Sequence, residues 1–494
     1  MTLLSFSEFA PVDRSLLVVF LIVGAIGVVS VSEGGRPGVL IAAVVHVFGG
    51  VLSLFAEDLI TLLVSWELLA VSAFLIIRTW KAQRPAPGAE SVVVGAVDRR
   101  AQAAFRYLVV QVSAAVFFFI AIVIQYSIAG SVRVAAIVPE AQFWVILAVA
   151  IKAAMIPAHG WLVTTYGITS VTSLILLSAF STKVGALTAA RLVPVGGYTG
   201  LLWFAAAVAA IAPWLAVKQT SIRRLLSYVL IAQVALVLVA VGVSTGSASD
   251  SAGGLALTAA RFHVVNHVVY KTLLFVVVAL VVKRVGHDDL RRMGGLRHSM
   301  PIVCTAALVG VGAAIGFPFL NGFASKELLK HVMDVPNLGI MLSVSTVGTA
   351  LALLRFLDGA FFGRESSEST DRDARSPALV ASAGVLALLC VLGGLFPAVL
   401  SGVTEPQIYT TAGIRAALIL LPAVFLGWFA VRRMLQVVSP GNGWSEAAFP
   451  RLGARLYAMV LGWAHGARTA DSRAFAGLAV LLAVVLGLGL AGIW

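Results

Sequence analysis

Residues 261–282 read RFHVVNHVVYKTLLFVVVALVV. After Arg261 the only charged side chain before Lys283 is Lys271. The hydrocarbon core of a bilayer is about 30 Å thick and takes roughly 20 apolar residues to cross as a helix. The stretch therefore reads as a membrane span that carries an ionisable group in its interior. His263, His267 and Lys271 recur at i, i+4 and i+8, which places them on one helix face. Three readings fit that stripe. It is a proton wire, since imidazole accepts at one nitrogen and donates at the other and lysine stores a proton. It is polar glue between helices. Or it is half of a zinc site, His at i and i+4 being a known grip; no other His or Cys stands at convincing ligand spacing.

The rest of the chain agrees with a membrane setting. Of 494 residues, 60% are hydrophobic and 12% charged, with a mean hydropathy of +1.00. That much apolar surface excludes an ordinary soluble domain and predicts an all-α, polytopic bundle. Apolar runs fall near 14–32, 37–56, 58–80, 105–127, 141–157, 168–190, 198–217, 224–244, 255–282, 301–323, 338–362, 376–400, 411–431 and 476–494. These make about 14 transmembrane helices, too long and too uniformly apolar for barrel strands. The two cysteines, Cys304 and Cys390, lie inside such runs and suggest neither a disulfide framework nor a metal site. The start of the chain lacks a basic segment and a small-residue cleavage site, so the first helix is expected to be retained.

The net charge is +13. The basic residues cluster in the connections 81–104, 218–224, 283–298 and 432–475, which fourteen spans would all place on one side. The excess of Lys and Arg on cytoplasmic loops then puts both termini outside, in a multi-pass protein of the cell inner (plasma) membrane. The charge is accounted for by topology, and no nucleic-acid partner is expected. Segment 81–104 is Pro/Gly-bearing and reads as a loop, as does polar 363–377. Segment 444–472 mixes Trp, Leu and Arg and reads equally as an amphipathic helix on the interface or as a plain connection.

Lysine is scarce, eight against twenty-seven arginines, yet Lys152, Lys183, Lys271 and Lys326 fall inside apolar runs or at a break in one. Arginine stays protonated under almost any condition, whereas a desolvated lysine exchanges its proton. Glu67 stands alone in the middle of LITLLVSWELLAVSAFLII. A charge at that depth costs at least ~2.5–3.5 kcal/mol on insertion scales, so it is expected to face other helices and to have a partner. Pro157, five residues after Lys152 and just before His159, predicts a broken helix. Gly316, Pro318 and Gly322 predict a second break ahead of Lys326, which reads either as a path residue or as one snorkelling from a helix end. Such pairs of broken helices occur in transporters built from internal repeats. Arg355 and Asp358, spaced i, i+3, are expected to neutralise each other.

These segments, in order, resemble the antiporter-like membrane subunits shared by respiratory complex I, Mrp-type cation/proton antiporters and membrane-bound hydrogenases. LLVSWELLAVSAFL resembles the glutamate helix of that superfamily, IKAAMIPAHGWL its lysine-bearing broken helix, and STKVGALTAARL the stretch that follows. KQTSIRRLLSYVLIAQ is similar to its cytoplasmic turn, FHVVNHVVYKTLLF to its histidine–histidine–lysine helix, and MGGLRHSMP and GFPFLNGFASKELL to its last two motifs. The similarity covers roughly residues 50–335. It divides the chain into N-terminal helices (1–50), a proton-translocating core (51–335) and C-terminal helices (336–494). The resemblance implies a Glu67–Lys152 electrostatic switch and a relay through Lys183, His263, His267 and Lys271 to Lys326. It also implies partners: other membrane subunits and, in some branches, an enzyme of the cytoplasm. Protons, with Na+ or K+ in some branches, would be the cargo. In the KQTSIRR segment the family's lysine is replaced by Arg223, a fixed charge.

The chain carries no cysteine cluster, dinucleotide fingerprint or haem attachment signal. No cofactor or metal is expected in it, and any redox chemistry of an oxidoreductase complex belongs to partner subunits. Two other functions fit the sequence: the membrane component of an ion-gradient-coupled complex that accumulates inorganic carbon, and a non-transporting anchor for a soluble enzyme.

Overall fold

The structure, a computed structural model, describes residues 10–33, 37–79, 90–194, 196–244, 251–333, 335, 337–363, 376–403 and 408–437. Among these the chain is helical, with only two isolated β-bridges between loops. The helices are α1 Pro11–Ser32, α2 Pro37–Phe55, α3 Leu59–Thr79, α4 Glu90–Ala129, α5 Gln142–Lys152 and α6 Gly160–Ile168. There follow α7 Val171–Leu177, α8 Ser181–Arg191, α9 Thr199–Val217, α10 Ile222–Val243, α11 Ser251–Val285 and the short α12 Leu296–Ser299. The last are α13 Pro301–Ile315, α14 Asn321–Val332, α15 Leu338–Leu357, α16 Pro377–Leu395, α17 Pro397–Ser401 and α18 Thr411–Val437.

Among the described residues, ten segments are long and apolar enough to cross a membrane, α7 and α8 together counting as one of them. Two shorter apolar stretches lie beside them, α13 and residues Gly413–Leu426 of α18. The protein is thus a multi-pass helical membrane bundle. Local chemistry sets the helix ends. Proline opens α1, α13 and α16 at a position where its missing N–H is no loss. The hydroxyls of Ser170 and Ser221 accept from the Ser173 and Arg224 amides at the starts of α7 and α10. Gly316 closes α13 in the left-handed region at φ 89°.

Helices α7, α8, α10 and α11 are buried along almost their whole length. They form the interior, and α2 and α16 lie at the periphery. A helix apolar on every side belongs in such a centre, which is why the polar stripe of α11 ends up at the middle of the bundle.

At one end of the bundle the loops are stitched by charge. Arg223 pairs with Asp288 at 2.9 Å and donates to the Thr169 carbonyl at 2.9 Å. Backbone bonds Ile222 N to Asp288 O and Leu290 N to Thr220 O, each 2.9 Å, join the turn before α10 to the loop after α11. Lys283 pairs with Glu33 at the same end. The opposite end is tied by Arg191 to the Ser53 and Ala56 carbonyls and by Arg261 to Asp13 at 3.4 Å.

Several sequence expectations need correction. The run 168–190 is interrupted at Ser178–Phe180 without any proline or glycine signal there, a third break beside the two expected near Pro157 and at Gly316–Gly322. Segment 81–104 is helical from Glu90 onward, as an extension of α4. Arg355 and Asp358 do not neutralise each other: Arg355 donates to the Val217 carbonyl, and Asp358 pairs with Arg432 at 3.3 Å. Segment 444–472 and the last apolar run, 476–494, lie outside the described residues, as does most of 363–377.

The α13–α14 break depends on one close approach. A methyl group on Gly322 would lie 1.8 Å from the Ala313 carbonyl oxygen. Overpacking a tight contact costs about 1–3 kcal/mol. Gly322→Ala is therefore expected to lower the thermal midpoint of the detergent-solubilised protein clearly. Gly384→Ala, where the methyl meets nothing within 4 Å, should leave it unchanged or raise it slightly.

The loop junction has a pH signature. Burial works against the charge of Asp288, but the Arg223 guanidinium and the Ser221 hydroxyl outweigh it and hold the carboxyl below its ordinary value of 3.8. A depressed carboxyl contributes stability above its unfolded pKa and loses it as pH falls through the folded one. Asp288→Asn should thus destabilise by about 1.5–3 kcal/mol at pH 7, as for a hydrogen bond to a charged group. The gap from the unmodified protein should close as the pH drops below about 4; a gap independent of pH would contradict the assignment.

Candidate proton-relay site

A break in a membrane helix frees carbonyl groups that have no water to bond. Here lysine and aromatic donors take them up. Where α7 ends, Lys183 Nζ donates to the Ser178 carbonyl at 2.5 Å, and the Tyr166 hydroxyl donates to that of Leu177 at 2.9 Å. Where α13 ends, Lys326 Nζ donates to the Ala314 carbonyl at 2.5 Å. Where α5 ends, at Lys152 itself, the Trp161 indole donates to the Ile151 carbonyl at 3.0 Å. A helix C-terminus carries partial negative charge, so an ammonium is favoured there. Lys326 is buried and does not snorkel.

Lys152 projects toward α3. Its Nζ donates to the Trp66 carbonyl at 3.1 Å and sits 5.0 Å from the centre of the Trp66 ring, a cation–π distance. Trp66 is fixed in turn by stacking on Phe118, centroids 4.9 Å apart, and by its indole bond to Thr188 at 3.1 Å. Gly185 on α8 makes room, since a methyl there would lie 3.0 Å from Lys152 Cγ. Glu67, the neighbour of Trp66 in sequence, is within electrostatic range of Lys152. No direct ion pair joins them among the described residues, and Glu67 Oε1 is buried with no hydrogen-bond partner. Glu67 and Lys152 are therefore apart in this structure.

The α11 stripe occupies the centre. His263 and His267 are fully buried, with rings nearly parallel and 6.1 Å apart. His263 Nδ1 lies 3.0 Å from the Ser325 hydroxyl, which ties the stripe to α14, one residue from Lys326. Both ring nitrogens of His267 are buried without a hydrogen-bond partner. Lys183, His263, Lys271 and Lys326 all lie within electrostatic range of His267. Lys271 Nζ donates to the Leu226 carbonyl on α10 at 3.0 Å. The structure thus brings Lys183, His263, His267, Lys271 and Lys326 together as one cluster and places Glu67 with Lys152 as a second. Each of the four lysines has a backbone carbonyl as its hydrogen-bond partner, and none pairs with a carboxylate among the described residues. Among the described residues no group of three His, Cys, Asp or Glu converges as a metal site.

One member was missed. His46 on α2 is fully buried, faces the Phe180 ring at 5.7 Å and lies within electrostatic range of Lys152. The Ser72 hydroxyl donates to the Leu68 carbonyl at 2.5 Å. His46 Nδ1, 2.8 Å from that hydroxyl oxygen, must therefore be the donor in their bond. Its Nε2 is left with a lone pair and no partner. A single histidine in an apolar run gives no pattern by which sequence reading would have singled it out. His159, flagged beside Pro157, lies 3.4 Å from the Tyr228 hydroxyl.

Comparison with known proteins identifies the family. Residues 56–352 match the family model described as NADH:quinone oxidoreductase/Mrp antiporter, TM. An Na(+)/H(+) antiporter subunit from Staphylococcus saprophyticus is 29% identical over 400 residues, covering 73% of this chain and 48% of that protein. A probable K(+)/H(+) antiporter subunit from Rhizobium meliloti is 29% identical over 368 residues, covering 69% of this chain and 34% of that protein. The chain spans about half or less of the length of these relatives. Its fold is similar to that of a chain in the Mrp complex from Dietzia sp., with a TM-score of 0.67 at 21% identity over 83% of this chain and 85% of that one. A buried axis of lysines and histidines in a helical bundle and a family match over more than half of the residues lead to one assignment: the chain belongs to the NADH:quinone oxidoreductase/Mrp antiporter membrane family.

Proposed function

We propose that this chain carries protons across the membrane, in exchange for a monovalent cation, as one component of a larger membrane complex. The observation that supports this reading is the set of four buried lysine amino groups held by backbone carbonyls, with partnerless imidazole nitrogens between them. A structural ion pair would satisfy its charge with an opposite charge. A relay group instead needs a partner that holds it without trapping its proton.

In this reading Glu67 and Lys152 are the switch. Approach of the carboxylate stabilises the ammonium of Lys152, and withdrawal to the separation seen here weakens that stabilisation. The proton then leaves Lys152, with His46 Nε2 available to receive it, and passes on toward Lys183. His267 serves as the hub of the inner cluster, and Lys326 delivers the proton at the other side. Arg223 takes no part: its fixed charge is committed to Asp288 and Thr169 at the bundle end. Relatives named for Na+ and for K+ exchange, each belonging to an antiporter, support a monovalent cation as the counter-ion and other membrane subunits as partners.

Proton flux in inverted membrane vesicles tests the switch. Lys152→Ala should lower it by about 100-fold or more, the scale of a lost acid–base group. Lys152→Arg keeps the charge but cannot release a proton, so flux should stay lost while the complex still assembles; retained flux in Lys152→Arg would refute the relay. Replacing His267 by Gln should also reduce flux at least about tenfold, as expected for a general acid–base participant, with assembly again as the control.

A further inference from the structure

Where α1 begins, two depressions share one residue. The first is a cavity of about 240 Å³ lined by Asp13, Arg14, Ser53, Thr188, Arg191 and Arg261 among others. Three guanidinium groups face one carboxylate there. Arg261 is paired with Asp13, and Arg191 is held by the Ser53 and Ala56 carbonyls. The second is a groove of about 800 Å³ between α1, α11, α16 and α17, apolar except for Arg14, Ser15, Asn266 and Asn321. Arg14 lines both, and no hydrogen bond or ion pair of its side chain occurs among the described residues.

We infer that the groove and the arginine pocket together bind one anionic glycerophospholipid. The dimensions fit a single leaflet. Along α1 the groove runs from Pro11 to Ile22. At 1.5 Å per residue that is roughly 16 Å, about half of a 30 Å hydrocarbon core. Val18, Val19 and Ile22 from α1, Val269 from α11 and Leu389 and Leu392 from α16 provide walls for an acyl chain.

The polar groups fall at matching depths. The lipid phosphate sits at the level of Arg14, where the arginine-rich pocket has an excess of positive charge. One to two turns deeper on α11, below Arg261, lies Asn266. It is 1% exposed, lines the groove, and neither its amide nitrogen nor its oxygen has a partner. The Asn321 amide oxygen is likewise buried and unpartnered beside it. A buried amide left without a partner forfeits the hydrogen bonds it made in water. The ester groups of a glycerol backbone lie at this depth and give the Asn266 nitrogen an acceptor. Basic pockets between transmembrane helices on the cytoplasmic side of a membrane bind anionic headgroups, and the same charge complementarity operates in this arginine pocket. A plain hydrocarbon occupant would leave both the arginine excess and the Asn266 amide unanswered.

The test uses the full chain in nanodiscs and in detergent, with retained lipid counted by native mass spectrometry and thermal midpoints read in parallel. Phosphatidylglycerol should be retained and should raise the midpoint. Phosphatidylcholine of the same acyl composition should do neither to the same extent. Arg14→Gln should weaken phosphatidylglycerol retention by about fivefold, the scale of one basic residue at a membrane surface. Val18→Trp, which fills the groove without touching the arginines, should abolish retention. Asn266→Leu should weaken retention while leaving the selectivity for phosphatidylglycerol intact. Equal retention of both lipids, or retention unchanged in Arg14→Gln and Val18→Trp, would overturn the site. So would a midpoint shift reproduced by inorganic phosphate alone and unaffected by Val18→Trp, since the ligand would then be a free anion.

Discussion

An ammonium group in the middle of a bilayer needs an acceptor, and a broken helix has carbonyls that need a donor. Each difficulty answers the other here. Lys183 and Lys326 satisfy the carbonyls of Ser178 and Ala314 where α7 and α13 stop. Lys152 stands at the end of α5 and reaches across to the Trp66 carbonyl. Because the acceptors are neutral, the amino groups stay hydrogen-bonded without being locked to an acid. Glycine makes the close approaches possible, with Gly185 against Lys152 and Gly322 against the Ala313 carbonyl.

The aromatic and hydroxyl groups around these lysines do a second job. Trp161, Tyr166 and Trp66 use their polar tips to satisfy carbonyls or hydroxyls in an apolar interior. The Ser72 hydroxyl assigns the tautomer of His46 by committing its own proton to a carbonyl. Such neighbours carry no charge, yet they determine which nitrogen of a histidine is ready to accept. The contrast with Arg223 is chemical. That guanidinium lies at the bundle end, paired to Asp288, where a permanent charge is structurally useful.

Much of this was legible in the residues because charge in an apolar run is rare. Glu67, Lys152, Lys183, Lys271 and Lys326 stood out for that reason, and the i, i+4, i+8 stripe placed His263, His267 and Lys271 on one face. Pro157 and the Gly316–Gly322 segment announced two breaks. The third break, at Ser178–Phe180, has no such residue. It is enforced by tertiary packing, with the Phe180 ring seated where Gly50 leaves space. The pairing of Arg355 and Asp358 failed because each found a better partner on another helix, and a local spacing rule holds no information about that. His46 was invisible because its role comes from what surrounds it.

The Phe180 ring has a mechanical consequence. A methyl on Gly50 would meet it at 2.2 Å, and the ring also meets Phe20 edge-on with centroids 5.0 Å apart. The unwound link between α7 and α8 is therefore wedged between the first two helices of the chain, like a key in a slot. Rotation of Lys183 about that link must drag the key against α1 and α2. The first two helices and the broken centre are thereby joined in one mechanical linkage, so that a shift at either is felt at the other.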